Sequence, residues 1–393
     1  MSNLFATRAR ETSDSDLAEL FKLSETPNII SFAGGFPDPT WYSNEMENIS
    51  YKVLKEQKNV ALQYGPVPGL TVFREFIADR MKKQDIDANK ENILITSGAL
   101  QGLELICKTF IDPGDQVIIE APTYLGAIST IKSYEADILS INCDEQGMNI
   151  DELERTLENN SSNIKFIYTI PTFQNPTGKT LPKERRKRII ELAKKYQLLV
   201  IEDGAYSELR FMGEEVPHMK AMDDYDHVIF LGTFSKILSP GIRLGWIAAD
   251  KFMIDKLTYF KQSSDQMTSP LSQLIALEAG QTGLLDQQID MSKKALREKR
   301  DATLIALGKY FSQSGTWTES EGGFYTWLEI DKNINTLDQL RKSVKNYKVA
   351  YVAGPSFFVD KNFGKRALRL SYSLPTVDEI DKGINKLAEV FEV

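Results

Sequence analysis

The sequence predicts an α/β fold in which a large domain, with a mainly parallel sheet flanked by helices, is joined to a smaller α+β domain. Short apolar segments alternate with helical patterns through the middle of the chain. From about residue 280 the pattern changes to a long charged helix followed by strands with one polar face. The length of 393 residues also exceeds what one simple core accommodates.

The large domain is predicted from apolar runs that are too short for helices and are separated by amphipathic segments. Such runs are typical of parallel strands that are buried on both faces. The predicted strands are 91–96, 115–122, 165–171, 198–203, 227–232 and 243–250, and the clearest predicted helices are 100–110 and 181–196.

The smaller domain is predicted from the C-terminal part of the sequence. A charged helix around 283–312 precedes two segments, 322–330 and 367–373, in which apolar and polar residues alternate as in strands. The N-terminal segment contains a short helix and a Gly34-Gly35 turn, and we expect it to pack on this domain. The predicted boundaries are 46–282 for the large domain, and 1–45 together with 283–393 for the small one.

Composition excludes several classes of partner. The net charge of −8 argues against nucleic acid and anionic membranes. No apolar run approaches the length of a membrane helix, and the N-terminus lacks the apolar core of a signal peptide. The two cysteines, Cys107 and Cys143, fit a reducing compartment better than a disulfide framework. We therefore expect a cytoplasmic protein.

The two histidines, His218 and His227, belong to no recognisable motif. A Ser-His-Asp hydrolase or a histidine-rich metal site is therefore not expected, and we predict no metal centre. An enzyme that moves protons with this composition must use lysine, carboxylate or tyrosine side chains.

The run TFSKILSPGIRLGW, residues 233–246, combines a lysine with phosphate-binding side chains. Lys236 can form a Schiff base with an aldehyde. The hydroxyls of Thr233 and Ser235 and the guanidinium of Arg243 are suitable partners for a phosphate monoester. Together they point to pyridoxal 5'-phosphate, a phosphate-bearing aldehyde, although a solvated loop of basic residues would have a similar composition.

Polar residues that follow the predicted strands could complete such a site, because ligands bind at the carboxyl ends of strands in open parallel sheets. Asp203 ends the strand 198–203 and could keep a pyridine nitrogen protonated, although a turn or helix cap is the alternative. Tyr206 and Asn175 could each donate to the phenolic oxygen of the ring, although Asn175 lies in an ordinary turn sequence, FQNPTG.

Three further positions have weaker signals. The turn Ser97-Gly98-Ala99 joins a strand to a helix, whose N-terminus would favour a phosphate. Tyr124 could stack on a planar ring or be a half-buried aromatic residue of the core. Arg369 lies on an apolar strand and needs a carboxylate, which either the protein or a bound amino acid could supply.

These segments, in this order, resemble the class I and II aminotransferases of fold type I, which depend on pyridoxal 5'-phosphate. They are most similar to the branch of 2-aminoadipate and aromatic aminotransferases, to which the catalytic half of MocR-type regulators is also similar. The resemblance covers nearly the whole chain and implies a large-domain sheet of the seven-stranded type. The segments that carry it are ISFAGGFPDP (30–39), ALQYGPVPG (61–69), EAPTYLGAI (120–128), PTFQNPTG (171–178), GPSFF (354–358) and LRLSYS (368–373).

The resemblance implies a role for each candidate residue. Lys236 would form the Schiff base and carry the proton, and Asp203 would pair with the pyridine nitrogen. Tyr64 would reach the cofactor of the neighbouring subunit, which implies a homodimer. The remaining cofactor residues would be Ser97, Gly98, Ala99, Tyr124, Asn175, Tyr206, Thr233, Ser235 and Arg243. The α-carboxylate of the substrate would be held by Gly35, Asn175 and Arg369.

The resemblance also implies an activity, the transfer of an amino group between an amino acid and a 2-oxo acid, with 2-oxoglutarate as the expected acceptor. Two departures bear on it. Ala99-Leu100 replaces the Ser-Gln pair that is usual in this branch at the phosphate turn. Ala18 stands where acidic-substrate members have an arginine three residues after Ser15, with Asp16 and Glu19 nearby. We therefore expect neutral or aromatic donors, or a broad range, unless Arg8 or Arg10 compensates.

Two alternatives use the same cofactor motifs. A β-lyase would bind the cofactor and the α-carboxylate in the same way but would release pyruvate and ammonia without an acceptor. A non-catalytic regulator would need a DNA-binding domain, and we expect none because the motifs begin by residue 30 and the net charge is acidic.

Overall fold

The computed structural model describes residues 4–10, 28–160 and 163–393, without the side chains of Thr7 and Arg10. Within these residues it has fourteen strands. They are β1 (Ile30–Ser31), β2 (Ile93–Thr96), β3 (Gln116–Ala121), β4 (Asp137–Asp144), β5 (Gly147–Met148), β6 (Ile164–Thr169), β7 (Leu199–Asp203), β8 (Val228–Thr233), β9 (Gly245–Ala248), β10 (Gly315–Trp317), β11 (Tyr325–Ile330), β12 (Val349–Ala350), β13 (Val352–Ala353) and β14 (Ala367–Ser371).

The large sheet has the strand order β2-β9-β8-β7-β6-β3-β4-β5. The four pairs between β8 and β4 are parallel, whereas β9 is antiparallel to both of its neighbours. The two-residue β5 only closes a hairpin with the end of β4. Without it the sheet has seven strands, and the predicted α/β class of fold type I is confirmed.

Helices cover this sheet on both faces, which explains why its central strands are apolar throughout. All residues of β2 and β8 are buried, and β3 and β7 each have one partly exposed residue, at the first position. The larger helices of this part are Glu45–Glu56, Thr71–Lys82, Ala99–Phe110, Leu125–Lys132, Ile150–Asn160, Lys183–Tyr196, Lys251–Ser264 and Pro270–Gln281. Two hydrophobic clusters, one on each side of β3, β6 and β7, form the core between them.

A second sheet, of order β10-β11-β14-β13, is antiparallel throughout. The helix Leu284–Tyr310 leads into it, and the helix Val377–Phe391 packs along Leu284–Tyr310. The shorter helix Thr336–Lys342 precedes β12. This sheet matters for the site because β14 positions Arg369 and β11 positions Tyr325.

The N-terminal segment joins this second part of the fold. Strand β1 pairs in parallel with β12, and the Phe32 amide donates to Ala350 O at 2.8 Å. The Phe32 carbonyl in turn accepts from the Ser371 amide. These contacts agree with the expected packing of the first segment, while the exact domain boundaries stay a prediction. In the described part of the chain, no helix has the length and apolar composition that crossing a bilayer requires.

Candidate active site

The carboxyl ends of β2, β3, β6, β7 and β8 meet at one edge of the large sheet, where a cavity of about 640 Å³ opens. Strand β9 is antiparallel, so its amino end, just after Arg243, lies at the same edge. The cavity is closed from the other side by Gly35 and by Tyr325 and Arg369 of the second sheet. The topology therefore gathers residues that are far apart in the sequence.

Lys236 lies on the floor of this cavity, in the loop that follows the last residue of β8, Thr233. Its Nζ donates to Gly35 O at 2.7 Å and lies 5.8 Å from the centroid of the Tyr206 ring. Burial, together with the nearby charges of Arg369 and Arg243, lowers the pKa of the amine to about 8. The amine therefore exchanges between charged and neutral forms in the range where an enzymatic base operates.

Asp203 presents a carboxylate at the end of β7 and is 7% exposed. The Tyr168 hydroxyl donates to its Oδ2 at 2.7 Å and the Ala205 amide donates to its Oδ1 at 3.1 Å. Burial raises the pKa of Asp203, although both hydrogen bonds and the charge of Lys236 oppose the shift. A cation placed against this carboxylate would lower its pKa again, so the position suits a protonated ring nitrogen.

Tyr206 and Tyr325 form a pair of buried hydroxyls. The two Oη atoms lie 2.8 Å apart, and the rings meet edge to face with centroids 5.4 Å apart. Gly35 packs so closely against the Tyr325 hydroxyl that a Cβ at position 35 would overlap Tyr325 Oη. A glycine is therefore required at position 35 for steric reasons.

One end of the cavity is built to hold an anion. Gly98, with φ of 95°, precedes the helix Ala99–Phe110, so free amide groups of the first turn face the cavity end. Arg243 Nη2 donates to the Ser97 carbonyl at 2.8 Å, and a Cβ on Gly98 would lie 2.7 Å from that nitrogen. Thr233 Oγ1 donates to Ser235 Oγ at 3.0 Å beside them. Hydroxyls, amides and a guanidinium thus converge as a phosphate requires.

The Ser97 side chain does not join this group. Its hydroxyl donates to Asp265 Oδ2 at 3.3 Å and lies 3.5 Å from Thr268 Oγ1, and Ser97 is absent from the cavity lining. The Ser97 amide is likewise bonded, to Gln101 Oε1 at 2.7 Å. The polar groups of the Ser97 side chain and amide thus bond to neighbours outside the cavity lining, and the predicted part of Ser97 in cofactor binding stays a prediction.

Arg369 is the strongest candidate for binding a carboxylate. It is 2% exposed, and its Nη1 and Nη2 donate to Asn175 Oδ1 at 2.9 Å and to Ala33 O at 2.5 Å. Its guanidinium lies 4.3 Å from the Tyr325 ring centroid. Among the described residues no carboxylate lies within ion-pair distance of it, and its Nε has no hydrogen-bond partner. A buried cation without a protein anion is expected to receive one from a ligand.

The predicted residues Tyr124 and Tyr64 differ in whether they line the cavity. Tyr124 lines the cavity at the start of the helix Leu125–Lys132, and burial raises the pKa of its hydroxyl to about 12. Tyr64 lies outside the cavity and is 75% exposed. The structure therefore gathers every predicted site residue around one cavity except Ser97 and Tyr64.

The family of the chain follows from comparison with known proteins. The family model described as aminotransferase class I and II matches residues 27–387. The chain belongs to the class I and II aminotransferase family.

Individual members of the aminotransferase family match along almost the entire chain. Aromatic-amino-acid aminotransferase 1 of Thermococcus litoralis is 42% identical and is aligned over 99% of this chain and 94% of its own. The solved Pyrococcus horikoshii kynurenine aminotransferase is 38% identical, with a TM-score of 0.94 and coverage of 99% and 97%. The alpha-aminoadipate aminotransferase LysN from Thermus thermophilus, solved with N-(5'-phosphopyridoxyl)-L-leucine, is 33% identical, with a TM-score of 0.91 and coverage of 100% and 98%.

Sequence reasoning overlooked two tyrosines of this aminotransferase. Tyr168 is buried in β6 and orients Asp203, while Tyr325 contacts Tyr206, Gly35 and Arg369. Tyr325 lies in GGFYTW, whose pattern indicates only a strand. The available clue was a tyrosine at a position where the strand pattern predicts burial, because a buried hydroxyl needs a partner.

Most of the N-terminal residues that bear on substrate specificity are not among the described residues. Residues 15–20, with Ala18, lie outside the described residues, as does the side chain of Arg10. Arg8 is described, and its Nη1 lies 4.0 Å from Glu135 Oε2 with 60% of the side chain exposed. Arg8 is not among the residues that line the cavity.

Proposed function

We propose that this aminotransferase binds pyridoxal 5'-phosphate in the cavity and transfers amino groups from neutral and aromatic amino acids to a 2-oxo acid, with 2-oxoglutarate as the expected acceptor. The observation that carries the proposal is the convergence of one amine, one carboxylate and one guanidinium without a protein carboxylate, those of Lys236, Asp203 and Arg369. Each supplies a different requirement of the reaction.

The residues present fit this cofactor. The anion end offers the Gly98 turn and Arg243 for a phosphate, and Asp203 offers a carboxylate for a ring nitrogen. Tyr124 offers an aromatic face between them. Arg369, whose buried Nε has no hydrogen-bond partner among the described residues, lines the same cavity and offers a guanidinium for a carboxylate. The donor set thus matches a phosphate-bearing pyridine that is bound beside an amino acid.

When bound, the cofactor supplies a ring that accepts the electron pair left on the substrate Cα. The side chains of the protein would set the protonation of the ring, orient the substrate and carry the proton. Asp203 would keep the ring nitrogen protonated, and Tyr206 and Asn175 would donate to the phenolic oxygen. Arg369 orients the α-carboxylate so that the Cα–H bond faces Lys236. The neutral Lys236 amine would take the Cα proton and hold it at its Nζ for return during the transfer.

The predicted donor preference rests on the charges of the cavity wall. In the described part of the chain its cationic lining residues are Lys236, Arg243 and Arg369, each of which already has a role. The remaining wall beside the substrate includes apolar groups of Phe36, Leu103 and Leu125. A second carboxylate would be desolvated there without a partner, which is costly.

We therefore expect kcat/KM for phenylalanine or leucine to exceed that for 2-aminoadipate by about tenfold or more. A donor-by-acceptor screen of the purified protein, with 2-oxoglutarate and other 2-oxo acids, measures this. Norleucine is a suitable control, because it has an uncharged chain of similar length. A higher kcat/KM for 2-aminoadipate than for norleucine would contradict the preference, and pyruvate and ammonia formed without an acceptor would favour a β-lyase.

A second prediction concerns cofactor retention. Arg243→Ala removes the guanidinium at the anion end, and charged hydrogen bonds of this kind contribute about 1.5–3 kcal/mol each. We expect the Kd for pyridoxal 5'-phosphate to rise by about 10- to 100-fold, measured by absorbance after dialysis against graded cofactor. Arg297→Ala, which changes an exposed arginine elsewhere, is the control. Unchanged retention in Arg243→Ala would place the phosphate elsewhere.

The homodimer and the role of Tyr64 remain part of the proposal. Tyr64 is exposed beside Leu62 and Val60, which are 63% and 48% exposed. An exposed apolar patch of this kind supports a surface that another copy of the chain covers.

A cytoplasmic location likewise stays a prediction.

A further inference from the structure

We propose that Tyr325 is a positioning residue that donates a hydrogen bond to Tyr206, so that the single proton of Tyr206 is directed to the phenolic oxygen of the cofactor. This inference rests on the proposed function, since it requires the cofactor. It gives the Tyr325 hydroxyl a role in orienting Tyr206, although Tyr325 lies in no sequence motif for this site.

The geometry isolates the two hydroxyls from other partners. Tyr206 and Tyr325 are 4% and 1% exposed, and their Oη atoms lie 2.8 Å apart. Within the described residues, Tyr325 Oη makes no other hydrogen bond. On its far side it contacts the backbone of Gly35, where no side chain intervenes. In the part of the chain that the structure describes, the hydroxyl of Tyr206 is therefore the hydrogen-bond partner of the Tyr325 hydroxyl.

Either hydroxyl can be the donor of this hydrogen bond, and the proposed contact of Tyr206 with the cofactor selects between the two directions. Each neutral hydroxyl has one proton, so only one of the two can donate within the pair. Burial, together with the neighbouring Tyr325, raises the pKa of Tyr206, so that Tyr206 keeps its proton at neutral pH. If Tyr206 donated to Tyr325, its proton would be unavailable to the cofactor. Tyr325 must therefore donate, and Tyr206 must accept from it and donate onward.

This arrangement strengthens the contact of Tyr206 with the cofactor. A hydroxyl that accepts a hydrogen bond becomes a better donor, because the two bonds polarise each other in the same direction. A stronger donor to the phenolic oxygen stabilises the more negative, deprotonated form of the bound cofactor. The hydroxyl of Tyr325 should therefore lower the pKa at which the cofactor absorbance titrates, without touching the cofactor itself.

The aromatic ring of Tyr325 has a separate role, and the two can be distinguished. The guanidinium of Arg369 lies 4.3 Å from the ring centroid, a contact that a phenylalanine ring keeps. Tyr325→Phe consequently removes only the hydroxyl. We expect KM for the amino donor to stay within about twofold of the wild-type value, whereas the cofactor titration shifts.

The experiment is a spectrophotometric pH titration of the holoenzyme and four variants. We expect Tyr206→Phe to raise the pKa of the cofactor absorbance by about 1 pH unit or more, because a hydrogen bond to a charged group is lost. Tyr325→Phe should raise it by about 0.4 pH unit, the cooperative part of that bond. The double variant should match Tyr206→Phe alone, because Tyr325 acts only through Tyr206. Tyr351→Phe is the matched control, since it loses a buried hydroxyl that donates to Thr336 O at 2.6 Å.

Each contrary outcome is informative. A shift below about 0.1 pH unit in Tyr325→Phe, or a further upward shift in the Tyr206→Phe background, would overturn the proposal. A downward shift would also overturn it, because Tyr325 would then compete for the proton of Tyr206. A wild-type protein that acquires no cofactor absorbance would instead refute the proposed function, so the two failures are distinct.

Discussion

Lys236→Ala is expected to lower transamination by at least about 10⁴-fold, because the variant loses both its covalent link to the cofactor and its proton carrier. The Nζ of Lys236 is the amine that lines the cavity beside Asp203, and its lowered pKa of about 8 suits a base. Single-turnover conversion of the amino donor measures the loss. The variant should remain folded, because the side chain makes a single hydrogen bond to the described residues, to Gly35 O.

A second readout identifies the lysine directly. Borohydride reduction of the wild-type holoenzyme should fix the cofactor on the peptide that contains Lys236, as peptide mass mapping would detect. Lys251→Ala, which changes an exposed lysine, should keep both the labelled peptide and the activity. Label on another lysine, or an active Lys236→Ala variant, would refute the assignment.

Arg369→Ala is expected to lower kcat/KM for every amino donor by about 10²- to 10³-fold, mainly through KM, because the α-carboxylate loses its paired cation. The expected size corresponds to about 3–4 kcal/mol for a desolvated, bidentate contact. Steady-state kinetics with phenylalanine, leucine and alanine should show the same loss, since all three share only the α-carboxylate and α-amine. Arg369→Lys should recover little, because an ammonium group cannot reproduce the planar pair of donors.

The controls for this variant separate binding from stability. Arg366→Ala removes an exposed arginine three residues earlier in the same segment and should leave KM unchanged. Thermal unfolding of Arg369→Ala should also be followed, because Asn175 Oδ1 and Ala33 O lose their donor. If a stably folded Arg369→Ala variant kept the wild-type KM, Arg369 would not be the carboxylate-binding residue.

Much of the large sheet could be predicted from sequence because its strands are buried on both faces. The segments predicted at 198–203 and 227–232 became Leu199–Asp203 and Val228–Thr233, within one residue at each end. The strand Asp137–Asp144 was overlooked, since it lies near the edge of the sheet and only one of its eight residues is buried. A strand with so little buried surface lacks the apolar run that marks its neighbours.

The candidate site was predictable where one residue supplies a distinctive functional group. Lys236, Asp203 and Arg369 follow strands or lie in an apolar strand, so their positions constrain their roles. The outward direction of Ser97 was not predictable, because it depends on Asp265 and Thr268, which are about 170 positions away in the sequence. The pairing of Tyr206 with Tyr325 is likewise a product of the two sheets meeting.

The hydrogen bond from Lys236 to Gly35 O connects the candidate reactive amine to the N-terminal segment of the chain. Gly35 follows β1, and the Phe32 carbonyl accepts from the Ser371 amide of β14 in the second sheet, while Lys236 lies in the loop after β8 of the large sheet. The proposed Schiff base would occupy the Nζ of Lys236, so Gly35 O would lose the donor that it has in this structure. We therefore expect cofactor binding to change the hydrogen bonding of the backbone around residue 35.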